Sequence, residues 1–192
     1  MDFRQIDPKY IVLAIVVVIA IVVLAMIVAR QRRMASGRIR QRFGPEYDRA
    51  VQEHGSERRA EAQLADRAKR VEKLNVRELA PVERERFTNQ WNGLQLRFVD
   101  SPKGAVAEAD DLLVLVMQTR GYPMSDFDQR AADISVDHPV VVDNYRSGHA
   151  IAVRTRNGEV STEDLRKAMI HYRALFDEMI TDTPPISRRN VA

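Results

Sequence analysis

The chain has 192 residues, 45% of them apolar, and no cysteine. That length allows one ordinary domain with an appendage, and the missing thiols exclude disulfides, thiolate nucleophiles, Cys-ligated zinc and iron–sulfur clusters. The net charge of +3 is unevenly placed: Arg30–Arg42 carries six arginines and no acid, while everything from Phe43 onward has 22 basic and 25 acidic residues, a balance of −3. Nucleic-acid binding needs a basic face on the folded domain, and this distribution argues against one.

In chain order, residues 1–10 form a short tail that ends at Tyr10, a fitting interfacial aromatic. Residues 11–29 read IVLAIVVVIAIVVLAMIVA, without a polar side-chain atom. As a helix the run spans about 28 Å, close to the roughly 30 Å of a hydrocarbon core. Twelve of its residues are Ile or Val. In lipid, however, the backbone must satisfy its own hydrogen bonds, so helix prevails over β-propensity. A cleaved secretory signal is the competing reading. It wants a shorter apolar region, a basic N-terminal flank and a small-x-small cleavage site, and the arginines here lie on the other side. The run has no G-x-x-x-G and no ionisable residue, which suits a plain anchor rather than a dimerising or transporting helix.

The basic juxtamembrane segment, 30–42, supplies candidate membrane-surface residues: Arg30, Arg32, Arg33, Arg38, Arg40 and Arg42. At an anionic leaflet each gains up to about 1 kcal/mol. Six positives against Arg4 and Lys9 predict the C-terminal side in the cytoplasm. The expected location is a bacterial inner membrane, crossed once, with anionic lipid headgroups and an unidentified protein as partners. The alternative is the same domain facing outward.

Residues 43–180 are expected to form an antiparallel helical bundle, and the fold class is all-α. Phe43–Gly44–Pro45 breaks the chain, and Pro45 suits a first helical turn. Helices are expected over Glu46–His54 and, capped by Ser56, over Glu57–Leu74. Pro81 opens the next helix, where Phe87, Trp91, Leu94 and Phe98 share one face. That face is either core or a candidate partner groove at Phe87, Trp91 and Phe98. Asp100–Ser101–Pro102 starts a helix that Gly121 ends. Ser125-x-x-Asp128 opens a short helix to about Ile134, and Asp137–His138–Pro139 opens another, which Asn157–Gly158 closes. Ser161-x-x-Asp164 caps the last, with Leu165, Met169, Tyr172, Phe176 and Met179 inward. Residues 181–192 are expected to be a disordered tail.

No nucleophile elbow, Walker loop or dinucleotide glycine pattern occurs. His54, His138, His149 and His171 show no i,i+3 or i,i+4 pair, so no helix offers two metal ligands of its own. His149 and His171 could meet across two packed helices, with Asp143 or Glu178 nearby, as a metal or acid/base site. The expected function is a membrane-anchored, non-catalytic interaction or scaffold module, with no cofactor, no metal and no nucleic acid. The enzymatic or metal-binding bundle using His149 and His171 is the alternative.

The strings QRFGPEYDRAV, RGYP, QRAADISVDHP and STEDLRKAMIHYRALF, spread from about Gln41 to Met179, resemble a family of bacterial proteins with one N-terminal hydrophobic segment and a helical soluble domain. The resemblance implies an envelope setting and a helical fold. It implies no activity, ligand or residue role.

Overall fold

In a computed structural model, residues 8–156, 158 and 160–181 are described, with side chains at 13, 15–31 and from 33 onward. The described residues form eight helices and no strand. The fold is all-α, as the sequence predicts. By internal packing the chain divides into two units, Met1–Gln41 and Arg42–Ala192.

Helix α1 runs over Pro8–Phe43. It continues through the arginine segment because Arg, Gln, Met and Ala are good helix formers and only Gly37 interrupts them. Within it lies one span long and apolar enough to cross a membrane, none of it buried in the protein. Its described apolar side chains, Leu13 to Val28, are 37–62% exposed. Gly44, at φ 48°, turns the chain, and Pro45 starts α2 (Pro45–His54).

Helix α2 ends at Gly55, and α3 (Glu57–Glu72) begins on Ser56, whose hydroxyl accepts from the Arg59 N–H. Helices α4 (Pro81–Asp100) and α5 (Pro102–Arg120) are joined by Ser101 alone. The next three are α6 (Phe127–Asp137), α7 (Val142–Arg156) and α8 (Thr162–Ile180). Two expected starts are displaced. Asp126, not Ser125, caps α6 by accepting from the Gln129 N–H, since its carboxylate is the stronger acceptor for the helix start. His138 does not open a helix. It closes α6, its N–H bonded to Ile134 O, and α7 begins only at Val142. The expected N-terminal and C-terminal tails lie largely or wholly outside the described residues.

The main core is built by α4, α5, α7 and α8. Phe87, Leu113, Val116, Tyr145, Tyr172, Leu175 and Met179 are fully enclosed there. Two glycines are required by close approaches. A Cβ on Gly148 would lie 2.6 Å from Cε1 of the buried Tyr172, so α7 reaches α8 only because that carbon is missing. Gly121 has φ 97°, and a Cβ there would stand 2.5 Å from Asn75 O; its predecessor Arg120 accepts from the Arg77 N–H. The Arg120 side chain is itself buried and donates to Met179 O, placing a cation at the C-terminal end of α8.

Helices α2 and α3 pack differently. Phe43, Tyr47, Ala50, Ala60, Leu64, Ala68 and Val71 are buried, yet none belongs to the main apolar cluster. They form a satellite core. Charges supply the specific links between this hairpin and the bundle. Glu46, 1% exposed, accepts from Arg67 on α3 at 2.8 Å and from both Arg146 terminal nitrogens on α7 at 2.7 and 2.8 Å. Arg70 reaches Asp133 on α6 with Nε at 2.9 Å and Nη2 at 2.7 Å. Helices α2 and α3 thus form a two-helix hairpin with a polar docking face.

Two outcomes follow from these contacts. Glu46→Gln keeps the side chain's shape but strands two guanidiniums, one of them buried, at an expected loss of about 3 kcal/mol. Native-state hydrogen exchange should show that loss in the amides of α2 and α3 while α4, α5 and α8 keep their protection; equal loss throughout would contradict a separately docked hairpin. Gly148→Ala should lower stability to chemical denaturation by about 1–3 kcal/mol through overpacking. Gly93→Ala, whose added carbon meets only Arg97 Nη1 at 3.6 Å, should not.

Candidate functional site

The expected aromatic groove turns inward. Phe87 is 0% and Trp91 3% exposed, with Trp91 stacked on Phe176, and Phe98 is half-buried against the same core. This corrects the placement of the candidate groove: the stripe is core, because its large apolar surface is what the bundle buries. The neighbouring stripe of α4 lies outside. Val82, Arg86, Asn89, Gly93 and Arg97 recur at intervals of three or four, with Glu85 beside them, and so form one line along the helix. Together with Glu108, Asp111, Leu112 and Leu115 of α5 this line walls a groove of about 810 Å3.

Its floor is apolar, formed by the edges of Leu94 and Leu112, and its rim holds Val82, 76% exposed, and Leu115, 41% exposed. Gly93 leaves a notch in one wall. At one end Arg97 donates to Glu108. At the other, the Arg86 guanidinium stands 4.6 Å from the Phe87 ring centroid, a cation–π contact. No nucleophile–base pair lines the groove. It presents apolar surface along the middle and charge at both ends.

The arginines of the basic segment lie on α1. Arg30, Arg33, Arg38 and Arg40 are exposed, and the side chain of Arg32 is outside the described residues. At 100° per residue their directions spread around the helix. Arg42 differs: it is half-buried, lies over Phe43 and donates to Glu72 on α3 at 3.2 Å. Its role is thus shared with the hairpin.

The histidines are not brought together as one site. His171 Nδ1 lies 2.8 Å from Asn144 Oδ1. His149 instead stacks on Phe127, centroids 3.7 Å apart, with Nδ1 3.5 Å from Asp110 Oδ2. Tyr172 donates to the other Asp110 oxygen at 3.0 Å. Burial and the facing carboxylate push the Tyr172 hydroxyl far above its ordinary range, so it stays a donor. Asp110 also borders a cavity of about 300 Å3. His138 Nδ1 lies 3.2 Å from Glu178, and His54 sits at the end of α2. Among the described residues no group of three or more His, Asp or Glu could hold a metal ion.

Sequence reading gives Asp110, Glu46 and Asp133 no site role, because spacing within one helix cannot show a partner on another. Their only signal was an acid placed in line with apolar inward positions. A polar cleft of about 530 Å3 opens at the seam between the hairpin and the bundle. It is lined by Arg49, Arg67, Arg70 and Arg146 against Glu53, Asp126 and Asp128. Three of those arginines are already engaged by Glu46 and Asp133, so the cleft offers little net charge to a ligand.

No family model, curated protein or solved structure matches this chain.

The Asp110 cluster is open to a direct check. Tyr172→Phe removes a buried donor to a carboxylate and should cost about 1.5–3 kcal/mol in urea denaturation. An unchanged midpoint would show that the Tyr172–Asp110 bond contributes nothing to holding α8 on α5.

Proposed function

We propose that this protein is a single-pass membrane anchor carrying a helical interaction module, with its N-terminus outside and the bundle at the cytoplasmic face of a bacterial inner membrane. The observation that carries the reading is α1: one helix with an apolar span that nothing in the protein covers, followed at once by arginines. An apolar helix left uncovered in water would expose a patch far above the few hundred Å2 that soluble proteins tolerate, and lipid removes that conflict. The arginines then meet anionic headgroups and set the orientation.

The module binds rather than reacts. It offers the α4–α5 groove, where apolar surface and charge lie without any acid–base or nucleophilic pair. The carboxylates buried elsewhere are engaged in holding helices together: Glu46 and Asp133 with arginines, Asp110 and Asp137 with tyrosines.

Topology mapping tests this. The natural chain lacks cysteine, so Asp2→Cys and Ser187→Cys each give a unique thiol. In intact cells with a permeable outer layer, a membrane-impermeant maleimide should label Asp2→Cys at once and Ser187→Cys only after lysis. The protein should also stay with the membranes at alkaline pH. Labelling of Ser187→Cys in intact cells would place the bundle outside, and recovery of a soluble chain would end the proposal.

A further inference from the structure

We infer that the α2–α3 hairpin is a hinged strap, which opens away from the bundle about Lys73 and is held shut by an ionic latch at Glu46 and Asp133. The inference does not depend on the membrane reading.

The hinge is defined by where the chain becomes pinned. Leu74 rests against the main apolar cluster, and Val76 and Leu79 are buried in it. The Arg77 N–H donates to Arg120 O at 2.8 Å, and Asn75 O lies where a Cβ on Gly121 would come within 2.5 Å. Before Lys73 the attachment changes. Ala60, Leu64, Ala68 and Val71, the buried apolar residues of α3, all lie outside that cluster. Lys73 is exposed and caps the C-terminal end of α3. The last turn there is already drawn into i→i+3 bonds, from the Lys73 N–H to Arg70 O and from the Leu74 N–H to Val71 O. A helix end of this kind absorbs a hinge rotation without disturbing the packing on either side.

The latch is suited to opening and closing again. Arg70, just before the hinge, holds Asp133 of α6, and Arg67, a turn further out, shares Glu46 with Arg146 of α7. Charge-assisted hydrogen bonds weaken steeply with distance and angle, so a small swing breaks both links. Each half then keeps a partner of its own. Glu46 stays with Arg67 inside the hairpin, Arg146 stays with Asp143 at 3.0 Å, and Asp133 stays with Gln129 at 2.8 Å. Arg70 is already 44% exposed and passes to water. Opening therefore strands no buried charge, which is the usual barrier to breaking such a pair. Closure in turn is imperfect. Charged and amide side chains make up most of the lining of the 530 Å3 cleft at this seam. Gln63 Oε1, Arg67 Nε and Asp133 Oδ2 are buried there without a hydrogen-bond partner among the described residues. Those atoms have given up water for nothing in the closed form, and opening returns it to them. The strap is thus the part of this unit closest to balance between two positions.

The test is a distance measurement on the full chain, which has no cysteine of its own. Spin labels go on Gln52→Cys in α2 and Ser147→Cys in α7, both exposed. Asn89→Cys with Ser147→Cys is the control pair within the bundle. Pulsed electron resonance should give one distance for the Gln52–Ser147 pair in the natural background. Arg70→Gln with Arg146→Gln removes both links and leaves Glu46 its Arg67. Together they should raise the open fraction about a hundredfold and bring in a second, longer distance, with the control pair unchanged. Restoring a cation with Arg146→Lys should return most of the population to the shorter distance. A single unchanged distance in the double variant overturns the strap, and so does a control pair that broadens alongside, since the whole unit would then be loosening. Failure of the lysine to restore closure overturns charge as the latch.

Discussion

Trp91 lies flat against Phe176, ring centroids 4.7 Å apart and planes within 17° of each other. Both side chains are almost wholly buried. Each ring removes about 150–250 Å2 from water, which is worth about 4–6 kcal/mol before ordering costs. This stack locks the rotation of α4 about its own axis, with Phe87 and Leu94 following on the same side. Once that face is committed to the core, the line through Val82, Arg86, Asn89, Gly93 and Arg97 has to lie outside. The groove is therefore a by-product of core packing: α5 presses on α4 from one side, α8 holds it from below, and the remaining edge stays open.

The unit from Arg42 onward is held by two kinds of adhesion. Among α4, α5, α7 and α8 the joint is apolar, close-packed and demanding of shape, as the missing Cβ at Gly148 shows. Between the α2–α3 hairpin and the bundle the specific links are ionic, directional and small in number. A buried carboxylate with two guanidiniums adds little net stability over an apolar joint of equal shape, because desolvation offsets most of the attraction. What such a joint does supply is a defined seat: Glu46 fits one position only, since both Arg67 and Arg146 must point at it. The hairpin follows directly on α1 in sequence, so the segment next to α1 is the one fastened by charges.

Much of this architecture was legible in the sequence, for local reasons. Pro45, Pro81 and Pro102 open helices where the missing N–H is harmless, and Gly55 and Gly121 end them in the left-handed region. Periodic apolar residues gave the inward faces of α4, α5 and α8. The misplacements occurred where two local signals competed. Ser125 and Asp126 could each cap α6, and His138–Pro139 reads equally well as an end or a beginning. The site was less legible. An aromatic stripe has the same spacing whether it faces core or solvent, and only the burial of Phe87 and Trp91 decides between them. Partners 63 or 100 residues apart, such as Arg70 with Asp133 or Arg146 with Glu46, leave no mark in any single window.

The charge pattern ties the parts together. A chain of net +3 is here an arginine-rich segment of +6 followed by a body of −3. On the proposed anchoring, those two signs do separate work. The positive segment is held by anionic headgroups within about a Debye length, roughly 10 Å, of the surface. A negative body that comes within that distance is repelled by the same surface, which disfavours its lying flat on lipid.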